Sequence, residues 1–506
     1  MKLVYNVSDK PKFSQTLIFG FQQMIAIMAA TLLVPMIVSG YGLDADPAAA
    51  LFGAGVGTLI YILFTQKKSP VFLGSSFTFL GAYAASIGMN YGYWGIIIGV
   101  AFAGLVYVII AIIIKAIGSG WVNKLMPNVI IGPIVALIGL SLSSTATSWI
   151  MGNGGNTAYG EGYNWASIIV GLLTFFVIVL ASTKGTKNMK LIPFIIGVGA
   201  GYIIALIMTV VGQFANIESM QIMDFKPFVD TFTPFSIKSI VDYPKFFFLK
   251  ALETKGQYPL DAAAIGNIAM IYVPIGIVEL AQHIADHKNL SSIIEKDLIT
   301  DPGLDKTLLG DGLGSIAGSF FGGAANTTYG ESIGCVAITG NASIVSIITA
   351  ACGCIVLSFF SPFVCVINSI PKCVMGGACI AMYGFIAVSG LQMIQRVDLN
   401  KSENLFVVAS ILVCGIGGLY FGFGHNGITK GALLEITSLA AALIVGLITN
   451  LIVNIGKTPE VPEAPAKPKV TSKPEVSAAP SDSTKEASNA KPSNGGKSKK
   501  KKKSKR

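Results

Sequence analysis

A polar, glycine-rich break in an otherwise hydrophobic stretch constrains the fold of this chain more than any other feature. Residues 322–331 read Gly-Gly-Ala-Ala-Asn-Thr-Thr-Tyr-Gly-Glu and lie between apolar runs. Glycine, asparagine and threonine disfavour a helix here, and Glu331 places an ionisable group where charge is costly. Unwound backbone at membrane depth is tolerated only where it is buried in protein or lines a cavity. The break therefore predicts a binding site for a small polar ligand inside a membrane protein.

The rest of the chain has the composition of a membrane protein. Of its 506 residues, 52% are hydrophobic and 12% are charged, and the mean hydropathy is +0.67. These values predict an all-α polytopic membrane protein and exclude an ordinary soluble domain. The fourteen predicted transmembrane segments are residues 15–40, 46–65, 71–90, 93–117, 128–148, 164–183, 191–213, 263–284, 306–322, 327–340, 342–370, 374–393, 404–423 and 430–455.

Most of the net charge of +10 belongs to the C-terminal tail. Residues 457–506 hold 14 Lys and Arg against 5 Asp and Glu, which leaves the rest of the chain near neutral. The tail is rich in Pro, Ala, Ser and Lys, a composition typical of disorder. We expect its Lys-rich end to contact anionic lipid, and we expect no specific nucleic-acid partner.

Basic residues follow every second segment and so predict the orientation of the chain. Lys67 and Lys68 follow segment two, Lys184 follows segment six and Arg396 follows segment twelve, whereas the alternate loops are poor in Lys and Arg. We therefore expect a multi-pass protein of the plasma membrane with both termini in the cytoplasm. The long loop 214–262 is predicted to be an external cap.

A second polar interruption matches the first in position. Residues 74–79 read Gly-Ser-Ser-Phe-Thr-Phe and lie in segment three, as residues 326–331 lie in segment ten. Seven segments in each half would give the second half inverted topology, and matched interruptions are typical of a transporter site between inverted repeats. We predict a 7+7 inverted repeat with short extended pieces in segments three and ten. The alternative is coincidence, because glycine and serine are common in membrane helices.

Segment eight carries a stripe of polar residues. Glu279, Gln282, His283 and Asp286 have the spacing of one helix face. Such groups usually face the bundle interior or a water-filled cavity, and with Glu331 they predict a site that binds a ligand and moves protons. Alternatively, the helix has reached the cytoplasmic interface at Asp286 and His287, and His283 is a packed structural residue. The candidates for proton coupling are Glu279, His283, Asp286 and Glu331.

No motif in the sequence predicts an enzyme or a metal site. The seven cysteines all lie in the second half, and none forms a CxxC pair. Residues 310–314, Gly-Asp-Gly-Leu-Gly, lack the Lys-Ser/Thr ending of a phosphate-binding loop. We expect no catalytic residue, no metal and no cofactor apart from the proton as coupling ion.

Several ordered motifs resemble the nucleobase–cation symporter family, also called the nucleobase–ascorbate transporters, and within it the bacterial uracil permeases. They are Phe21–Gln23, Gly74–Phe77, Gln282–His287, Leu308–Leu313 and Asn326–Glu331. The resemblance covers nearly all of residues 13–455.

The resemblance implies a core domain, a gate domain and a homodimer formed through the gate domains. The core domain would comprise residues 1–127 and 263–370, and the gate domain residues 128–262 and 371–456, followed by the disordered tail. A nucleobase would lie between short strands of segments three and ten. The implied substrate-binding residues are Ser76, Phe77, Gln282, Tyr329, Gly330 and Glu331.

The chain departs from the family pattern at three positions. Gln282 occupies the position of a family glutamate, Ala285 that of a glycine, and Ser332 that of an asparagine. An amide can pair with a base edge but does not titrate, so the family's proton-coupling role does not pass to Gln282. One hypothesis is that Glu279, one helical turn earlier, binds the proton instead.

The sequence therefore predicts import of a nucleobase, with uracil as the first choice, by proton symport with alternating access. The alternatives are a xanthine or purine transporter on the same scaffold, an uncoupled facilitator made plausible by Gln282, and a nucleobase sensor that does not transport.

Overall fold

Helices build most of the chain in this computed structural model. The structure describes residues 3–125, 127–152, 163–186, 189–190, 192–258, 260–322, 324–423 and 434–455. The predicted disordered tail, residues 457–506, lies outside the described residues.

The helices in chain order are α1 (Phe13–Gly40), α2 (Pro47–Phe64), α3 (Leu80–Gly88), α4 (Gly92–Ile117), α5 (Gly120–Leu125), α6 (Asn128–Ser141), α7 (Ser143–Ile150), α8 (Trp165–Thr183), α9 (Pro193–Ala215), α10 (Lys226–Phe232), α11 (Phe247–Glu253), α12 (Ala262–Ile294), α13 (Leu304–Gly322), α14 (Gly330–Thr339), α15 (Ile344–Leu357), α16 (Ser361–Asn368), α17 (Lys372–Ile394), α18 (Ser402–Ile416) and α19 (Ser438–Val453). The strands are β1 (Leu73–Ser75), β2 (Asn326–Thr328), β3 (Phe421–Phe423) and β4 (Leu434–Ile436).

The described residues contain 8 helices that are long and apolar enough to cross a membrane. They are α1, α2, α4, the α6–α7 stretch, α8, α9, α12 and α17. This finding confirms the predicted all-α, multi-pass architecture in its general form. Several other predicted segments are shorter apolar helices or pairs of short elements.

Four predicted segments differ from the structure. Segment eight, predicted to end at residue 284, continues as α12 to Ile294 because its polar side chains find buried partners on neighbouring helices. Segment eleven divides into α15 and α16, and Pro362 in the first turn of α16 favours a new helix start. Residues predicted as ends of segments thirteen and fourteen form the antiparallel pair β3–β4.

Helices α2 and α13 meet backbone to backbone along a stripe of small residues. The stripe is antiparallel with a four-residue spacing and pairs Ala49 with Gly322, Gly53 with Gly318, Gly57 with Gly314, and Tyr61 with Gly310. A Cβ on Gly322 would lie 2.0 Å from the carbonyl oxygen of Ala49. Small residues allow this close approach in membrane helices, and the contact fixes α13 immediately before strand β2.

Strands β1 and β2 form a short antiparallel pair at the centre of the molecule. Leu73 pairs with Thr328, Gly74 with Thr327 and Ser75 with Asn326, and all six residues are buried. The Tyr329 hydroxyl donates a hydrogen bond of 2.6 Å to the Ser75 carbonyl. A Cβ on Gly74 would lie 2.3 Å from the Tyr329 ring, so glycine is required there. The predicted extended pieces in segments three and ten are therefore confirmed.

Candidate functional site

A cavity of about 530 Å³ lies beside the strand pair. All six residues that the sequence suggested for substrate binding are in its wall. They are Ser76, Phe77, Gln282, Tyr329, Gly330 and Glu331. The opposite wall comes from helices α6, α9 and α17, through residues such as Val135, Phe194 and Ile386.

The start of helix α14 gives the cavity its acidic wall. Gly330 is the first residue of the helix and Glu331 lies in its first turn. The partial positive charge of a helix N-terminus favours a carboxylate at this position. A Cβ on Gly330 would meet nothing within 4 Å. The backbone at Gly330 is therefore accessible from the cavity beside a carboxyl group.

The segment after strand β1 gives the cavity an aromatic wall. The Ser76 backbone N–H donates to the Ala325 carbonyl at 2.8 Å, which ties this segment to the residue before β2. Phe77 follows and is 6% exposed. Its ring meets the Tyr383 ring of α17 edge to face, with centroids 5.4 Å apart. Phe77 is thus held between the strand pair and α17.

Helix α12 contributes an amide and a carboxyl group to the cavity. Gln282 and Asp286 both line it and both are half-buried. The Thr328 hydroxyl, on β2, donates to Asp286 Oδ2 at 3.0 Å. A carboxyl group therefore lies one helical turn from the Gln282 amide in the cavity wall.

Glu279 and His283 are absent from the wall of this cavity. Glu279 is 1% exposed and lines a separate void of about 10 Å³. His283 Nδ1 lies 2.6 Å from Asp311 Oδ2 on α13. The polar stripe therefore faces two environments, the cavity at Gln282 and Asp286 and the protein interior at Glu279 and His283. At about 100° per residue the four side chains span roughly 100° of the helix surface, enough to face different neighbours.

The Glu279 carboxyl group is surrounded by hydroxyl groups behind the strands. Ser76, Thr78 and Thr327 face it. Neither carboxyl oxygen makes a hydrogen bond of ordinary geometry with a described residue. Glu279 therefore touches the rear of the segments whose front lines the cavity.

His287, one residue beyond Asp286, lies inside the protein and away from its surface. It is fully buried, and its Nε2 lies 2.7 Å from the Tyr61 hydroxyl of α2. Sequence reasoning missed Tyr61, because a tyrosine in a largely apolar segment does not by itself indicate a polar partner on another helix. It also gave no role to Asp311, although an aspartate inside an apolar helix was a signal of a buried partner.

Ser332 joins three elements behind Glu331. The Gln23 side-chain amide of α1 donates to the Ser332 hydroxyl, which also accepts the Phe72 backbone N–H at 2.9 Å. Ser332 therefore anchors the first turn of α14 to α1 and to the residue before β1.

The described residues contain no group of three or more His, Cys, Asp or Glu arranged to hold a metal ion. The chemistry of the site is that of hydrogen bonding, aromatic contact and carboxyl groups.

Comparisons with known proteins agree with this fold. A family model described as "Permease family" matches residues 14–421. The chain is 35% identical to the uracil permease of Bacillus caldolyticus over 453 residues, which is 89% of this chain and 95% of that protein. It is 32% identical to the uracil permease of Escherichia coli (strain K12) over 447 residues, 88% of this chain and 94% of that protein.

Two solved structures share the fold at low sequence identity. The transmembrane domain of the cyanobacterial bicarbonate transporter BicA has a TM-score of 0.53 at 15% identity and covers 89% of this chain and 100% of its own. SLC26A9 has a TM-score of 0.54 at 13% identity over 87% of this chain and 65% of its own. The match to the family model and the extent of the similarity to the permeases show the family. This chain is a multi-pass membrane transporter that belongs to the nucleobase–ascorbate transporter family.

Proposed function

We propose that this protein imports uracil by proton symport with alternating access. The observation that carries the proposal is the cavity wall, in which Glu331, Gln282 and Phe77 lie around an accessible stretch of backbone at Gly330. The names of the similar permeases support the choice of uracil.

The wall matches the chemistry of a pyrimidine base. Uracil presents alternating C=O and N–H groups along its edge. The Glu331 carboxyl group can accept from N–H, and the Gln282 amide can both donate and accept. The Phe77 ring offers an apolar face to the flat base. The bare backbone at Gly330 lets the base approach more closely than any side chain would.

Glu279 is the proposed carrier of the coupling proton. Gln282 does not titrate, and His283 is paired with Asp311. Asp286 and Glu331 line the cavity and are the other candidates. Glu279 is 1% exposed, and the groups that face its carboxyl are the hydroxyls of Ser76, Thr78 and Thr327, which can donate to it or accept from it in either protonation state. Movement of the strands on substrate binding therefore acts on it directly.

Proteoliposomes loaded with this protein test the proposal. We expect radiolabelled uracil to be concentrated only under an inward proton gradient. Glu279→Gln should abolish this accumulation while uracil binding stays within about twofold, because the side chain lies outside the cavity wall. Asp286→Asn is the matched control in the cavity. An unchanged proton dependence in Glu279→Gln would assign the proton to another carboxyl group.

Gln282 itself favours a second candidate function, uncoupled facilitated diffusion. In that case uracil would equilibrate across the membrane without accumulation, and dissipating the proton gradient would leave uptake unchanged. Gln282→Glu would then be expected to create accumulation.

The proposed architecture has fourteen segments in a 7+7 inverted repeat, with core and gate domains. Helix packing supports this division: α13 packs on α2 and α4, whereas α17 packs on α6, α7 and α8. The cavity is lined by residues of both proposed domains, such as Gln282 and Glu331 of the core domain and Val135 and Phe385 of the gate domain. We further propose a homodimer in the plasma membrane with cytoplasmic termini and a tail in contact with anionic lipid.

A further inference from the structure

The segment that precedes α1, residues 3–9, is bound to the corner between helices α14 and α15, and we call it the arm. The backbone N–H groups of Val4 and Tyr5 both donate to the Gly340 carbonyl oxygen, at 2.8 and 3.2 Å. Gly340 directly follows the last residue of α14 as its C-cap. The last carbonyl groups of a helix have no partner within it, and here the arm supplies partners at the end of α14.

The arm also pairs with the start of α15. The Ala342 backbone N–H donates to the Tyr5 carbonyl oxygen at 2.9 Å. The Ile344 backbone N–H donates to the Val7 carbonyl oxygen at 3.1 Å. Ile344 is the first residue of α15, and the first N–H groups of a helix also lack partners within it. The arm therefore joins the end of one helix to the start of the next.

Side chains fix the arm further. The Tyr5 hydroxyl donates to Gln15 Oε1 on α1 at 2.8 Å. The Ser343 hydroxyl donates to the Asp9 carbonyl oxygen at 2.6 Å. The Val7 side chain is buried against the core. The arm is thus held as an extended peptide, chiefly by backbone hydrogen bonds, which is one of the ways in which proteins bind peptides.

Helix α14 connects this corner with the cavity. The helix has 10 residues, so about 15 Å separate the arm from Gly330 and Glu331 in the first turn. The same turn is tied to α1 by the hydrogen bond from Gln23 to Ser332. A rigid element of secondary structure carries a shift at one end to the other. The position of Glu331 in the cavity wall therefore depends on how the far end of α14 is held.

We propose that the arm positions Glu331 by holding the corner between α14 and α15, and that it thereby sets the affinity of the cavity for uracil. Release of the arm lets the corner move and weakens binding. Because such coupling is reciprocal, bound uracil strengthens the attachment of the arm by the same factor. The corner is a second site, remote from the cavity, at which uracil affinity is controlled. This inference rests on the proposed function, in which uracil is the ligand of the cavity.

Hydrogen exchange on the unmodified protein measures release of the arm directly. The amide protons of residues 3–9 that pair with the corner exchange when the arm detaches. We expect saturating uracil to slow their exchange by about tenfold, which is a typical size for such coupling. An unchanged rate in protein that has bound uracil would overturn the proposal.

Two valines of the arm offer a matched pair of variants. Val7 is 6% exposed and Val4 is 62% exposed. Val7→Asn buries an amide and should detach the arm, whereas Val4→Asn places the same amide in the open. We expect the Kd for uracil, measured in detergent, to rise about tenfold in Val7→Asn and to stay within about twofold in Val4→Asn.

Deletion of residues 3–9 removes the arm outright and is the second variant should Val7→Asn not fold. We expect the same rise in Kd as for Val7→Asn. An unchanged Kd after the deletion would overturn the control of affinity by the arm.

Glu331→Gln separates positioning of this carboxyl group from a general loosening of the cavity. If the arm acts through Glu331, its release should matter little once the carboxyl group is gone. We therefore expect Val7→Asn to raise the Kd of Glu331→Gln by no more than about twofold. A further tenfold rise in the double variant would overturn the positioning role.

Failure of the proposed function gives a different result from failure of this inference. Absence of uracil binding in the unmodified protein would overturn both. Uracil binding with the same Kd in the unmodified protein and in every arm variant would overturn the inference alone.

Discussion

Helices α13 and α14 flank the same three-residue strand, yet their surroundings are opposite. The end of α13 is pressed against the backbone of α2, so that Gly322 has no room for a side chain. The start of α14 faces the cavity, and Gly330 has open space where a side chain would be. The difference indicates two roles: α13 holds the strand in place by close packing, and the start of α14 opens onto the cavity. The same substitution, glycine to alanine, should therefore affect stability on one side and binding on the other.

The largest effect is expected on the stability of the tightly packed contact between α13 and α2. In Gly322→Ala the new Cβ would lie 2.0 Å from the Ala49 carbonyl oxygen. Because both partners are backbone, the helices must separate, and we expect a loss of about 3 kcal/mol in the free energy of unfolding. Thermal unfolding in detergent measures it.

Gly334→Ala is the control, since its Cβ would meet nothing within 4 Å on α14. Its unfolding temperature should equal or exceed that of the unmodified protein, because alanine favours a helix. Equal stability of the two variants would contradict the tight packing of α13.

A smaller effect is expected from the charge on the open side. Glu331→Gln keeps the shape of the side chain and removes the charge-assisted hydrogen bond to the base. We expect uracil binding to weaken by about 2 kcal/mol, roughly thirtyfold, with no change in unfolding temperature. Equilibrium binding in detergent and thermal unfolding on the same preparation check the two parts. A loss of stability equal to the loss of binding would show that Glu331 also supports the fold.

The smallest effect is expected on uracil affinity at Gly330, the first residue of α14. Gly330→Ala adds one methyl group that meets no protein atom within 4 Å and projects toward the cavity. We expect uracil affinity to fall by about 1 kcal/mol, roughly fivefold, and stability to be kept. Measuring the binding of uracil and of a smaller five-membered cyclic amide distinguishes a steric effect of the new methyl group from a change in the backbone. A steric effect predicts less loss for the smaller ligand, and an equal loss for both would point to a backbone change.

The sequence was informative wherever local chemistry determines the outcome. A run of glycine, asparagine and threonine within an apolar stretch predicts a break, and residues 326–328 do form a strand. The same reasoning brought Phe77, Gln282 and Glu331 to one cavity.

The sequence was less informative wherever the answer depends on a neighbouring helix. Helical spacing places Glu279 and Asp286 within about 20° of each other, but it does not say that the first faces the rear of the strands and the second the cavity. Nor does it reveal that His287 is buried, because its partner Tyr61 comes from a helix more than two hundred residues earlier. These outcomes are set by packing of the whole bundle, which no single segment encodes.

The strand pair also has a consequence for how the protein is made. Ser75 and Tyr329, which bond across it, are 254 residues apart in the sequence, and Gln23 and Ser332 are 309 apart. During synthesis the first strand cannot pair with the second until residues 326–328 have been made. Contacts of such long range form late because closing the loop costs entropy before any contact repays it. The ligand site is therefore among the last parts of the molecule to form, and its presence reports that both halves of the chain have been inserted and joined.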